Sequence, residues 1–170
     1  AQIDYPASFA VLYQAKVKNK PKPEPHQLQA IEDVVSGLSA ADRGQMIMAC
    51  GTGKTFTTLW IKEALEAHTT LVLLPSLSLL SQTMREWAWA SNIAFDILNV
   101  CSDKSVGKKT EDMDPSDAPF PVTSEVEDIA VFLKQTKPKV VFCTYQSSDL
   151  IAQAQLDYSV PAFDLAVADE

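Results

Sequence analysis

Short apolar runs alternate with segments of helical period along most of this chain, and no other feature constrains its fold as tightly. Over residues 26–38 the apolar positions Leu28, Ile31, Val34, Val35 and Leu38 recur at helical spacing. Residues 46–50, Met-Ile-Met-Ala-Cys, form a continuous apolar run of the kind presented by a strand buried on both faces. Residues 54–67 return to a helical pattern, 70–74 read as a strand stopped by Pro75, and 77–89 read as a helix carrying Leu79, Leu80, Met84 and Trp87. Residues 93–100, 139–143 and 163–168 read as further strands, and 148–155 as a short helix. Ser124 followed by Glu127 reads as a capping box for a helix with Ile129, Val131, Phe132 and Leu133. Between these, residues 102–123 mix Asp, Lys, Ser, Pro and Gly without period, as a long surface loop does. Alternation of this kind predicts βαβ units with right-handed crossovers. The expected fold is α/β, a parallel β-sheet with helices on both faces and the ligand site at the carboxyl ends of the strands.

Composition narrows the class further. At 170 residues, 46% hydrophobic and 21% charged, the chain matches about one globular domain and excludes collagen, coiled coil and wholesale disorder. No apolar run approaches the roughly 18 residues of a membrane span, and no signal-peptide pattern opens the chain. Cys50, Cys101 and Cys143 lie far apart, without a CxxC or Cys/His cluster. Buried thiols in a reducing cytoplasm fit that pattern better than disulfides or zinc. A net charge of −8 argues against gripping nucleic acid by bulk positive potential, though not against binding through backbone amides and a few placed side chains. Residues 1–25 interleave Lys16, Lys18, Lys20 and Lys22 with Pro21, Pro23 and Pro25, which reads as an extended linker or docking arm ahead of a domain over 26–170. The chain opens on Ala1 instead of Met and stops on an apolar run closed by Asp169 and Glu170, so it is expected to be a piece of something longer.

The sharpest local signal is Gly51-Thr52-Gly53-Lys54-Thr55, set between an apolar run and a helix. Glycines let successive N–H groups turn inward as an anion nest, and the following helix N-terminus adds partial positive charge. Lys54 would reach the β- and γ-phosphate oxygens and the Thr55 hydroxyl would ligate Mg²⁺. Met48 stands where the strict phosphate-loop pattern has its first glycine. The second signal is Asp169-Glu170 at the end of a strand. One carboxylate there suits holding Mg²⁺, and the next suits orienting and deprotonating an attacking water.

Residues 48–55 resemble motif I of superfamily 2 helicases and translocases, whose first lobe is a RecA-like P-loop NTPase domain. Residues 25–31, Pro-His-Gln-Leu-Gln-Ala-Ile, are similar to the upstream adenine-sensing segment of that family. Residues 72–82 resemble motif Ia, residues 144–147 (Thr-Tyr-Gln-Ser) motif Ib, and Asp169-Glu170 the first half of a DEAH-type motif II. Cys50 in motif I and the Tyr145-Gln146-Ser147 run look most like the motor of restriction enzymes, type III and single-polypeptide type I. The resemblance implies binding and hydrolysis of Mg-ATP coupled to movement on nucleic acid. It implies that Gln27 reads the adenine, that Cys50, Gly51, Thr52, Gly53, Lys54 and Thr55 form the nucleotide cradle, and that Thr55 and Asp169 hold the metal. Glu170 would act as base, and Lys54, on the phosphates, would be the second catalytic residue. Ser76, Gln82 and Thr144 would face the sugar-phosphate backbone of a bound strand, where hydroxyl and amide side chains near helix N-termini need no net positive charge. Further implied partners are duplex DNA, a second RecA-like lobe bearing an arginine finger, and a nuclease domain of the same polypeptide.

Two other functional classes share parts of this pattern: a P-loop kinase and a non-catalytic nucleotide-binding module. A kinase needs a lid carrying arginines, and Arg43 and Arg85 are the only arginines here. DNA and RNA remain open as tracks, as do strand separation and simple traversal. Elsewhere the plain readings are the expected ones. His68 is expected as a helix C-terminal dipole partner, Trp87 and Trp89 as packing, Cys50 as a small buried residue, and the lysines at 104, 108 and 109 as part of a solvated loop.

Overall fold

The computed structural model describes residues 20–102 and 121–169. Helix α1 (Pro25–Ala40) begins with proline in its first turn, where a missing N–H costs nothing. Helix α2 (Lys54–Ala64) starts from Gly53. Strand β1 (Thr69–Leu74) leads through Pro75 into α3 (Leu77–Ala90), whose N-cap Ser76 accepts a hydrogen bond from the Leu79 N–H at 3.2 Å. Then follow β2 (Asp96–Val100), β3 (Val122–Thr123), α4 (Val126–Leu133) and β4 (Lys139–Thr144). A 3₁₀ turn (Tyr145–Ser147) opens into α5 (Ser148–Tyr158), and β5 (Leu165–Ala168) is the last element.

The strands form one sheet in the order β3-β2-β4-β1-β5, every pair parallel. Alternation along the central strands sends side chains to two separate cores. Val72, Leu74, Val140 and Phe142 join Leu59 of α2 and Leu80, Met84 and Trp87 of α3 on one face. Leu71, Val141 and Cys143 join Ile129 and Phe132 of α4 and Ile151 and Ala154 of α5 on the other. The expected α/β architecture, helices on both faces of a parallel sheet, is the one observed. Strand β4 is buried at every position, as a central parallel strand requires.

Burial extends to two lysines. Lys139 is fully buried and donates its ammonium to the Leu133 carbonyl (3.2 Å) and to the Gln135 carbonyl, closing the end of α4. Loss of hydration holds its pKa below the ordinary lysine value, against the pull of Asp96. Lys62 is likewise buried, 5.3 Å from the Phe95 ring centre, and desolvation lowers its pKa despite neighbouring Glu63.

Several sequence expectations need correction. Residues 46–50 are not a strand, and the run is not buried: Ile47 is 86% exposed. An apolar run becomes a parallel strand only beside a ladder partner, and β5 ends the described sheet without pairing to it. Cys50, expected to be buried, is exposed, whereas Cys101 and Cys143 are buried. Burial, followed by the neighbouring Cys101, pushes the Cys143 thiol up to about 12, so it stays protonated and unreactive. Two residues inside the expected loop, Val122 and Thr123, pair with β2. The Ser124–Glu127 capping box does not form. Instead the Thr123 hydroxyl accepts from the Glu125 N–H (3.0 Å) and donates to Asp128 (2.9 Å), and α4 starts at Val126. His68 lies beyond the end of α2 at Ala64, and its ring contacts the Thr136 carbonyl at 2.6 Å. Trp87 packs as expected, fully buried and edge-on to Phe142. Of the Pro/Lys arm, Lys20 donates its ammonium to the Ser91 carbonyl at the end of α3. Its earlier residues, and the lysines at 104, 108 and 109, lie outside the described residues.

Candidate active site

The phosphate-loop sequence folds as its glycines dictate. Gly51 and Gly53 both take left-handed backbone angles, φ 78° and 77°, which side-chain-bearing residues rarely adopt. Between them the Thr52 hydroxyl donates to the Ala49 carbonyl at 2.7 Å and closes the turn. Gly53 is the N-cap of α2, so Lys54 and Thr55 occupy its first turn with the helix N–H groups facing out. Lys54 Nζ donates to the Met48 carbonyl at 3.2 Å and so folds back across the loop. No described residue bonds the Thr55 hydroxyl.

Gln27 clasps this loop from α1. It is 6% exposed, and both ends of its amide are engaged. Oε1 accepts from the Glu24 N–H at 2.9 Å, while Nε2 donates to the carbonyls of Thr52 (3.1 Å) and Gly53 (3.3 Å). His26 Nε2 lies 3.3 Å from the same Thr52 carbonyl. The upstream segment and motif I, far apart in sequence, are therefore in direct contact. A β-carbon added at Gly53 would sit 2.5 Å from Gln27 Nε2. Gly53→Ala is accordingly expected to destabilise the domain by about 1–2 kcal/mol through its positive φ. It also pushes the Gln27 amide off the loop. Chemical denaturation, with titration of a fluorescent ATP analogue, measures both effects.

From the other side, Trp87 Nε1 donates to the Thr55 carbonyl at 2.9 Å, tying α3 to the first turn of α2. Sequence reading assigned Trp87 to packing and missed this bond. It also left Tyr145, inside the motif Ib run, without a role.

The sheet register gathers the remaining positions along one edge. Leu74 pairs with Thr144, and Leu73 with Ala168. Ser76 after β1, Thr144 ending β4 and Asp169 after β5 therefore share the carboxyl edge of adjacent strands, spaced about 4.8 Å apart. The Asp169 N–H continues the ladder to the Leu73 carbonyl at 3.0 Å, and the Tyr145 hydroxyl donates to the Asp169 carbonyl at 3.0 Å. Thr144 is 4% exposed and donates its hydroxyl to Ser147 Oγ at 3.0 Å; Ser147 Oγ in turn accepts from the Ser102 N–H. Ser76 Oγ is occupied in capping α3, and Gln82 donates to Glu86 at 2.9 Å on the exposed side of α3. Glu170 lies outside the described residues.

Among the described residues no three His, Cys, Asp or Glu side chains group as a metal site. A magnesium ion needs no such cage: it is commonly held by one or two protein oxygens together with phosphate oxygens and water. The Thr55 hydroxyl and the Asp169 carboxylate, neither bonded to another described residue, supply the right donor chemistry.

Residues 20–170 match the family model described as type III restriction enzyme, res subunit. The chain belongs to this family. A solved structure described as the ATP-dependent type ISP restriction-modification enzyme LlaBIII bound to DNA is 37% identical, with a TM-score of 0.78 over 88% of this chain. A nuclease-deletion mutant of the type ISP restriction-modification enzyme LlaGI, in complex with a DNA substrate mimic, is 34% identical with a TM-score of 0.73, again over 88% of this chain. This chain spans only 10% and 15% of the lengths of those two proteins. The curated proteins contain no match. The sheet with its flanking helices is thus a RecA-like fold shared with these type ISP restriction-modification enzymes. No helix among the described residues is long and apolar enough to cross a membrane.

Proposed function

We propose that this chain is the ATP-binding lobe of a DNA-dependent ATPase that moves along duplex DNA in the cytoplasm, as the motor of a restriction system. Two observations carry the reading: the glycine loop opening α2, clasped by Gln27, and the carboxyl edge of the sheet, where Ser76, Thr144 and Asp169 lie at the ends of adjacent strands. The loop amides and Lys54 bind and orient the triphosphate. Gln27, whose amide already sets the loop, reads adenine by exchanging part of that bonding for the base. Thr55 and Asp169 hold Mg²⁺, which when bound offsets the charge of the phosphates. Glu170, second in a DEAH-type pair, accepts the proton of the attacking water. Ser76 and Gln82 face the DNA backbone, supplying short polar groups in keeping with a net charge of −8, whereas Thr144, expected to do the same, is buried and spends its hydroxyl on Ser147, so it supports the turn beside them.

The whole protein also contains a second RecA-like lobe and a nuclease. An arginine finger from that lobe is worth roughly 10³–10⁵ in rate, so the 170-residue chain alone turns over almost nothing. The test is phosphate release from ATP by the intact protein, with and without long duplex DNA of mixed sequence. Stimulation of tenfold or more is expected (about 1.4 kcal/mol of barrier). A rate indifferent to DNA, or transfer of phosphate to a small acceptor instead of water, contradicts the reading.

A further inference from the structure

Asp169 sits where the sheet ends, and its two peptide groups are held by different means. Its N–H is the last rung of the β1–β5 ladder, donated to the Leu73 carbonyl at 3.0 Å. Its carbonyl belongs to the peptide leading into Glu170 and lies past the final register pair, Leu73 with Ala168. Among the described residues no backbone group donates to it. The Tyr145 hydroxyl does, at 3.0 Å. Tyr145 opens the turn after β4, and β4 and β5 share no ladder, because β1 lies between them. The phenol therefore reaches across the end of β1 and joins two strands that the backbone leaves unconnected. Flanking it, Thr144 bonds Ser147 and Ser147 bonds Ser102, so the turn is anchored at its base while the Tyr145 ring stays 38% exposed.

We propose that Tyr145 is a positioning residue for Asp169: its hydroxyl fixes the Asp169 carbonyl and couples it to the turn that follows β4. The inference rests on the motor reading above and deepens it. A phenol is suited to the task because its long, rigid side chain brings one O–H donor across a strand at small cost in rotamer freedom. When DNA displaces the turn, the carbonyl that receives this bond moves with it, and the Asp169 carboxylate on the same residue is re-aimed. Sub-ångström changes of this kind act strongly on a step that depends on near-attack geometry.

The experiment compares Tyr145→Phe and Tyr145→Ala in the intact protein, measuring kcat, KM for ATP and the Mg²⁺ concentration giving half-maximal turnover. Tyr145→Phe removes only the O–H and is expected to lower kcat about tenfold. KM stays within about twofold, the Mg²⁺ requirement rises several-fold, and thermal unfolding is unchanged. If the ring instead serves by stacking on the track, Phe keeps wild-type kcat and only Ala weakens DNA binding, which overturns the proposal. A Phe variant whose kcat and folded fraction fall in step also overturns it, since that marks a structural role alone. Wild-type turnover that ignores DNA sinks the motor reading, yet Tyr145 is still judged by the same kcat and Mg²⁺ values. Absence of ATP hydrolysis under every condition removes both.

Discussion

Replacing Lys54 with alanine is expected to lower ATP turnover by the intact protein roughly 10²–10³-fold while leaving the domain folded. Its ammonium makes one bond to the described protein, 3.2 Å to the Met48 carbonyl. That contact is half-exposed and easily replaced by water, so the cost in stability stays within about 0.5 kcal/mol. The loss falls on the triphosphate. Net charge is −8, so the loop has no surplus positive field to draw on, and the neutral amides of the nest cannot supply a full charge. Turnover assays with matched thermal unfolding curves check both halves. A variant that unfolds, or one that retains activity, contradicts this account of the loop.

The largest effect on stability is expected from Trp87→Ala. The indole is fully buried between α3 and the sheet, meets Phe142 edge-on at 5.6 Å between ring centres, and bonds the Thr55 carbonyl. Truncating a buried tryptophan opens a cavity that the rigid central strand β4 cannot close, at about 3–5 kcal/mol. For a domain of this size the loss is a fall in Tm on the order of 10 °C. Trp87→Phe refills most of the volume and recovers most of that loss, but not the bond to Thr55. Calorimetry on the three proteins measures the difference. Equal melting temperatures for wild type and Trp87→Ala contradict the packing described here.

The contrast between these two residues shows what could be read from the chain before its fold was known. Lys54 announces itself, because glycine-flanked lysine ahead of a helix is a local arrangement with local chemistry. So do β1, α3 and β4, whose periods follow from each element's own burial. The run at 46–50 misled because a parallel strand is a property of two neighbours, and apolar composition alone names only one. The start of α4 misled for a related reason: Thr123, just outside the expected box, accepts from the Glu125 N–H and donates to Asp128, while the Ser124 hydroxyl turns to the Glu125 carboxylate instead of the Glu127 N–H. Asp164 was silent in sequence, yet its carboxylate accepts from the N–H groups of His68 (2.9 Å) and Thr69 (2.8 Å), pinning the entry of β5 to that of β1. Burial alone would raise its pKa, but the bonds from Thr69 and His68 outweigh that and hold it below the usual carboxylate value. The bonds from Trp87 to Thr55 and Tyr145 to Asp169 join residues 32 and 24 positions apart, and no local pattern encodes such a meeting. The glycine loop and the helix it opens were legible, whereas the connections between motifs required the fold.

Movement along DNA is the claim on which the rest converges, and displacement of a triplex-forming strand from a long duplex by the intact protein measures it directly. With ATP, the labelled third strand should be released after a lag that lengthens with its distance from the site of loading, and Lys54→Ala should release none. Vigorous DNA-stimulated hydrolysis with the third strand left in place would contradict a motor and leave an ATPase that does not travel.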